Sequence, residues 1–210
     1  KSALGNILST QYVSSFRTYP APSSVSGLFM AVGSSGKILR STDNGSSWDI
    51  ANCQFATNLA DVTFGNNTYV AVFDNGTTIR STDNGSSFSI ISYEEDLNGV
   101  TFGNNTFVAV GDSGKIVRST DNGSSWDNAT SGISQYLFGN TFGNNTFVAV
   151  GTSGNIVRST DNGSSWDNAT SPTANTLYGV VFGNNTFVGV GASGNIVRST
   201  DNGSSFDNVT

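Results

Sequence analysis

One phrase, Arg-Ser-Thr-Asp-Asn-Gly-Ser-Ser-Trp-Asp-Asn-Ala-Thr, runs from Arg118 to Thr130 and again, unchanged, from Arg158 to Thr170. Close versions begin at Arg40, Arg80 and Arg198. Their aspartates, Asp43, Asp83, Asp121, Asp161 and Asp201, are spaced 40, 38, 40 and 40 residues apart. A chain that repeats at a fixed interval folds as a row of equivalent units. Each unit is too small to bury its own apolar face, so neighbours must cover one another. A period near 40 suits a unit of four short strands.

The third unit shows how the strands divide. Leu97 to Gly103 is apolar and ends in glycine, and a second run reaches Gly111 after the Asn104-Asn105 pair. A third run spans Gly114 to Thr120, and the unit closes at Thr130. Asn-Asn, Ser-Gly and Asp-Asn-Gly separate the runs, and these residues accept the positive φ of tight hairpins. Phe, Val and Ile fall on both faces of the second and third runs, so each sheet needs a cover on each side. No amphipathic helical pattern occurs. The chain is therefore expected to be all-β: a five-bladed β-propeller of four-stranded antiparallel blades. In chain order the strands run from innermost to outermost. The first-to-second and third-to-fourth strand turns then share one end of the disc, and the remaining connections share the other.

Composition narrows the function. Of 210 residues, 36% are hydrophobic and 11% charged, with a net charge of −6. A basic nucleic-acid footprint is absent, and no apolar run is long enough for a membrane-spanning helix. There is one cysteine, Cys53, read as a small buried hydrophobe, and no histidine. The commonest general base and metal ligand is thus missing.

The pattern Ser-x-Asp-x-Gly-x-x-Trp, here Ser41, Asp43, Gly45 and Trp48, is that of the Asp-box. The aromatic position holds Phe88, Trp126, Trp166 and Phe206 in the other copies. The chain resembles the Asp-box (BNR) β-propellers from about Leu28 onward. The resemblance implies that the box is structural. The residues agree: an aspartate can accept N–H bonds within its own turn, glycine supplies positive φ, and the aromatic folds back as an apolar plug. A WD-repeat reading fails for want of the Gly-His pair.

Sialidases that carry the same box need clustered arginines, a Tyr–Glu pair and an acidic Asp. Here Arg40, Arg80, Arg118, Arg158 and Arg198 hold one repeat position each and are not expected to converge. The only glutamates, Glu94 and Glu95, sit beside Asp96 in a connection and read as a solvated acidic loop. A calcium site there is the weaker alternative. No nucleophile elbow, phosphate loop, zinc spacing or EF-hand occurs. The chain is read as not an enzyme, with no catalytic residue, cofactor or metal.

Comparing the copies separates two faces. The Asn-Asn-Thr and Asp-Asn-Gly-Ser-Ser turns barely vary, whereas the opposite connections do. The variable face, with Phe55, Tyr93 and Tyr136, is the candidate contact face. Sequons occur at Asn66, Asn104, Asn128, Asn144, Asn168, Asn184 and Asn208, making these candidate glycosylation sites. Residues 11–210 are assigned to the propeller, with Gln11 to Tyr19 as its first inner strand. Residues 1–10 form an extension that either clamps the ring or adds to a neighbour's edge strand. The expected function is a non-enzymatic scaffold or filament subunit, extracellular or on the cell surface. Its partners are further copies, other surface proteins or glycans. The alternative is a multivalent carbohydrate-binding propeller.

Overall fold

The structure, a computed structural model, describes residues 28–51, 56–93 and 96–209. The first repeat contributes β1 (Phe29–Val32), β2 (Ile38–Ser41) and β3 (Asp49–Ala51). The second contributes β4 (Leu59–Gly65), β5 (Thr68–Phe73), β6 (Thr77–Ser81) and β7 (Ser89–Tyr93). The third holds β8 (Leu97–Gly103), β9 (Thr106–Gly111), β10 (Ile116–Ser119) and β11 (Asp127–Ala129). The fourth holds β12 (Leu137–Gly143), β13 (Thr146–Gly151), β14 (Ile156–Ser159) and β15 (Asp167–Asn168). The fifth holds β16 (Leu177–Gly183), β17 (Thr186–Gly191), β18 (Ile196–Ser199) and β19 (Asp207–Asn208). Each repeat is one antiparallel sheet with strands in chain order, four-stranded except for the three described strands of the first. The expected first inner strand, Gln11 to Tyr19, and the extension at residues 1–10 lie outside the described residues.

Local chemistry sets the hairpins. Asn104 and Asn105 take φ of 47° and 58°, the left-handed pair that a two-residue hairpin turn demands, and Asn66-Asn67, Asn144-Asn145 and Asn184-Asn185 do the same. The connections from β9 to β10, β13 to β14 and β17 to β18 are single 3-10 turns at Asp112–Gly114, Thr152–Gly154 and Ala192–Gly194. Sequence patterning missed a second regularity. Each of β4, β8, β12 and β16 carries a register shift two residues from its start, as between Leu97 and Gly99. Such a bulge increases twist.

The sheets stack face to face in chain order, with β4 beside β8, β8 beside β12 and β12 beside β16. Each seam has its own core. Val70 and Val72 meet Leu97, Val100, Phe107 and Val117. One repeat on, Val108, Val110 and Ile116 meet Leu137, Phe147, Val157 and Trp166. Next, Val148, Val150 and Ile156 meet Leu177, Phe187, Val197 and Phe206. A fully buried Val, Ile or Phe is worth about 1.5–3 kcal/mol, so these seams carry most of the stabilisation. The inner strands approach closely enough that a Cβ on Gly103 would lie 2.0 Å from the Phe142 ring. Only glycine fits there.

The expectation of a disc closed between its first and last repeats meets a gap among the described residues. In the seams the apolar residue that follows the strand Phe or Tyr touches the box glycine of the next repeat, as Val148 does at Gly203. Val188 should by the same rule touch Gly45, but a Cβ at Gly45 would meet only Trp48 within 4 Å.

Candidate functional site

The five boxes form the same turn. In the third, Ser119 Oγ donates to Asp121 Oδ1 at 2.8 Å, and the N–H groups of Ser124 and Ser125 donate to the same oxygen at 3.1 and 2.9 Å. In all five, the hydroxyl four residues after the aspartate donates to Oδ2 at 2.6–2.7 Å. The serine two residues before the aspartate accepts the glycine N–H at 2.8–2.9 Å. Asn122 and Gly123 then carry φ of 60° and 73°. These bonds hold the carboxyls low. At Asp43 the Ser47 hydroxyl and N–H and the Ser41 hydroxyl bring it to about 2. At Asp121 partial desolvation pulls upward and is outweighed by Ser125, Ser119 and Ser124, again leaving about 2. A carboxyl so low is ionised at neutral pH and poorly matched to general acid or base work there.

The box aromatics plug the seams. Trp166 and Phe206 are buried in the cores shared with the preceding repeat. Phe88 and Trp126 pack partly buried against the equivalent cores. The indoles of Trp48 and Trp166 donate to the carbonyls of Gly45 and Gly163 at 3.1 and 3.2 Å.

The arginines do not converge. Four of the five reach forward to the box turn of the next repeat. Arg40 Nε donates to the Asn84 carbonyl at 2.7 Å, and Arg80 Nη1 to Ser124 Oγ at 2.9 Å. Arg118 donates to Ser164 Oγ. Arg158 donates to the Asn202 carbonyl at 3.1 Å and to Ser204 Oγ at 2.6 Å. Sequence reasoning noted their even placement and missed this role. The available signal was that the arginine directly precedes the box serine in all five copies.

The two ends of the sheets are distinct. At one end the Asn-Asn turns meet the box turns of the following repeat: Asn66 Nδ2 donates to Asn122 Oδ1 at 3.1 Å, and Asn104 Nδ2 to Asn162 Oδ1 at 2.6 Å. At the other end, Asp112 N–H donates to the Asp96 carbonyl and Thr152 N–H to the Tyr136 carbonyl, each at 2.9 Å. Tyr136 is exposed there. Tyr93 ends β7 opposite Thr77, while Phe55, Cys53, Glu94 and Glu95 lie outside the described residues. No set of three or more metal-ligating side chains occurs among the described residues. The seven candidate glycosylation asparagines are exposed, with Asn66, Asn104, Asn144 and Asn184 in turns and Asn128, Asn168 and Asn208 on outermost strands.

Against known proteins, the likeness is one of shape. The chain superposes on YCF48 bound to a D1 peptide with a TM-score of 0.68 and 18% identity, covering 87% of this chain and 63% of that one. It superposes on an ancestral GH74 enzyme with a TM-score of 0.75 and 19% identity, over 95% of this chain and 31% of that one. The fold is of the β-propeller kind. A third propeller match, from a nidogen/laminin complex, has a TM-score of 0.66 and 13% identity, over 83% of this chain and 74% of that one. The chain thus spans less than two thirds of the YCF48 chain and about a third of the GH74 enzyme. No protein-family model and no curated protein sequence matches it. Among the described residues, no helix of this propeller is long and apolar enough to cross a membrane.

Proposed function

We propose that the chain is a non-enzymatic scaffold of the Asp-box propeller type. It acts outside the cell or on its surface, where it binds further copies of itself or other surface proteins. One observation carries this reading: the repeated polar groups are used up by the fold. Every box carboxylate is bonded within its own turn. Four of the five repeat arginines are bonded to the next repeat. Repeats built this way hold surfaces in place, and the four bonded arginines are spread over four turns rather than gathered as a sialidase-like centre needs. Protein binding suits the fold, since structural neighbours include YCF48 bound to a D1 peptide and a nidogen/laminin complex. N-linked glycans at the exposed Asn128, Asn168 and Asn208 would coat the rim, and those at the turn asparagines would coat one end.

Imaging of native material tests the reading: ordered arrays are expected. A native mass equal to the bare 21.8 kDa chain would refute glycosylation. The second reading, a carbohydrate-binding propeller, draws on exposed Tyr136 at the variable end. Glycan-array binding that disappears in Tyr136→Ala, with no self-association, would favour it.

A further inference from the structure

The fifth sheet has the forward face of the other repeats and, among the described residues, no cover for it. Val150 and Ile156 of the fourth sheet are 0% and 2% exposed beneath the fifth. Val190 and Ile196, at the same repeat positions, are 48% and 41% exposed, and Val181 and Tyr178 extend the patch at 64% and 58%. Arg198 is exposed, and among the described residues it makes none of the bonds that Arg158 makes. A Cβ on Gly143 would strike Phe182, whereas one on Gly183 would meet nothing within 4 Å among the described residues.

The seams show what such a face accepts. It takes a strand phenylalanine, a third-strand aliphatic residue, and a box turn that offers a left-handed glycine, an asparagine carbonyl and a serine hydroxyl. The first sheet presents that set. Phe29, Leu39 and Trp48 are half-buried where Phe187, Val197 and Phe206 are buried. Gly45 has φ of 81°, and a Cβ on it would meet only Trp48 among the described residues, while Asn44 and Ser46 are exposed. Ile50, which pairs with Leu39 in β3, is 72% exposed and replaces the sequon asparagine of the last three repeats. Position 50 itself therefore carries no N-linked glycan.

We propose that the first sheet of a second copy docks on the fifth sheet. Val188 seats on the partner copy's box glycine, and Arg198 donates to that turn. Val190 and Ile196 are covered by the equivalents of Phe29 and Leu39. The contact is heterologous, so copies join head to tail. A fifth-to-fifth contact would oppose two Arg198 guanidiniums and provide no glycine recess. The inference names the partner within the self-association reading and rests on it.

Complementation by blocked variants tests it. Ile196→Glu spoils only the fifth-sheet face, and Leu39→Glu only the first-sheet face. In sedimentation velocity, wild type is expected to form concentration-dependent oligomers, each variant alone to be monomeric, and their equimolar mixture to form discrete dimers. Leu39→Glu dimerising alone, or wild type staying monomeric, would overturn the proposal. A cysteine pair, Ser46→Cys with Arg198→Cys in a Cys53→Ser background, guards against misfolding of the charged variants. On oxidation it should give an intermolecular ladder on a non-reducing gel. An internally cross-linked monomer, or no cross-link at all, would overturn the proposal. Ordered native arrays alongside either failure would place assembly on another surface and leave the scaffold reading standing.

Discussion

Val108 of the third sheet rests on Gly163 in the box turn of the fourth: a Cβ added to Gly163 would lie 3.0 Å from Val108 Cγ2. The glycine thus serves two ends. It takes a φ of 76°, and it leaves room for the neighbouring repeat.

Gly163→Ala should therefore cost more than Gly45→Ala. Both incur the left-handed penalty of about 1–2 kcal/mol. Only Gly163→Ala also overpacks a seam, adding about 1–3 kcal/mol. Denaturant midpoints at a concentration where the chain is monomeric would show the difference. Equal losses would mean that the glycine matters for its φ alone.

Asp121→Ala removes the acceptor of four hydrogen bonds, from Ser119, Ser124 and both donors of Ser125. Loss of stability on the order of 1–3 kcal/mol is expected, with any specific binding intact. Unchanged stability together with lost binding would make the box a ligand site.

Acid should unfold the protein through the same turns. All five box carboxyls are lowered from 3.8 to about 2 in the folded chain. Groups lowered on folding contribute stability that is complete above the unfolded value. That contribution is lost as pH falls from about 4 through about 2. Thermal midpoints should hold level from neutral pH to about 5 and then drop, and Asp121→Ala should drop less than wild type.

Arg158→Ala and Arg198→Ala should differ although they occupy the same repeat position. Arg158 bonds the Asn202 carbonyl and Ser204 hydroxyl across a seam. Its loss should cost about 1 kcal/mol in the monomer, and that of Arg198 close to none. If Arg198→Ala destabilised the dilute chain equally, Arg198 would have a partner within its own molecule.

Much of the fold could be read from residues that are neighbours in the chain. Asn104-Asn105 specifies a left-handed hairpin turn because few other pairs tolerate it, and Phe107 to Val110, apolar on both faces, requires a covered strand. The box follows from Ser119, Asp121, Gly123 and Ser125, which lie within one turn's reach of each other. Such bonds depend on spacing along the chain, so a single copy contains the information. The bulge at Leu97 and Gly99 was less legible, since Gly99 is required by the Phe138 carbonyl, which a Cβ would approach to 2.9 Å.

By itself, then, the sequence determined the repeat, the strands, the turns and the self-contained bonding of each box. Tertiary structure alone decided that Arg118 reaches Ser164 and that Trp166 plugs the seam with the third sheet. It alone left Val190 and Ile196 open where Val150 and Ile156 are closed. The two pairs carry the same side chains in the same local pattern. They differ in whether another sheet stands in front of them, and that depends on residues a full repeat away or on another molecule.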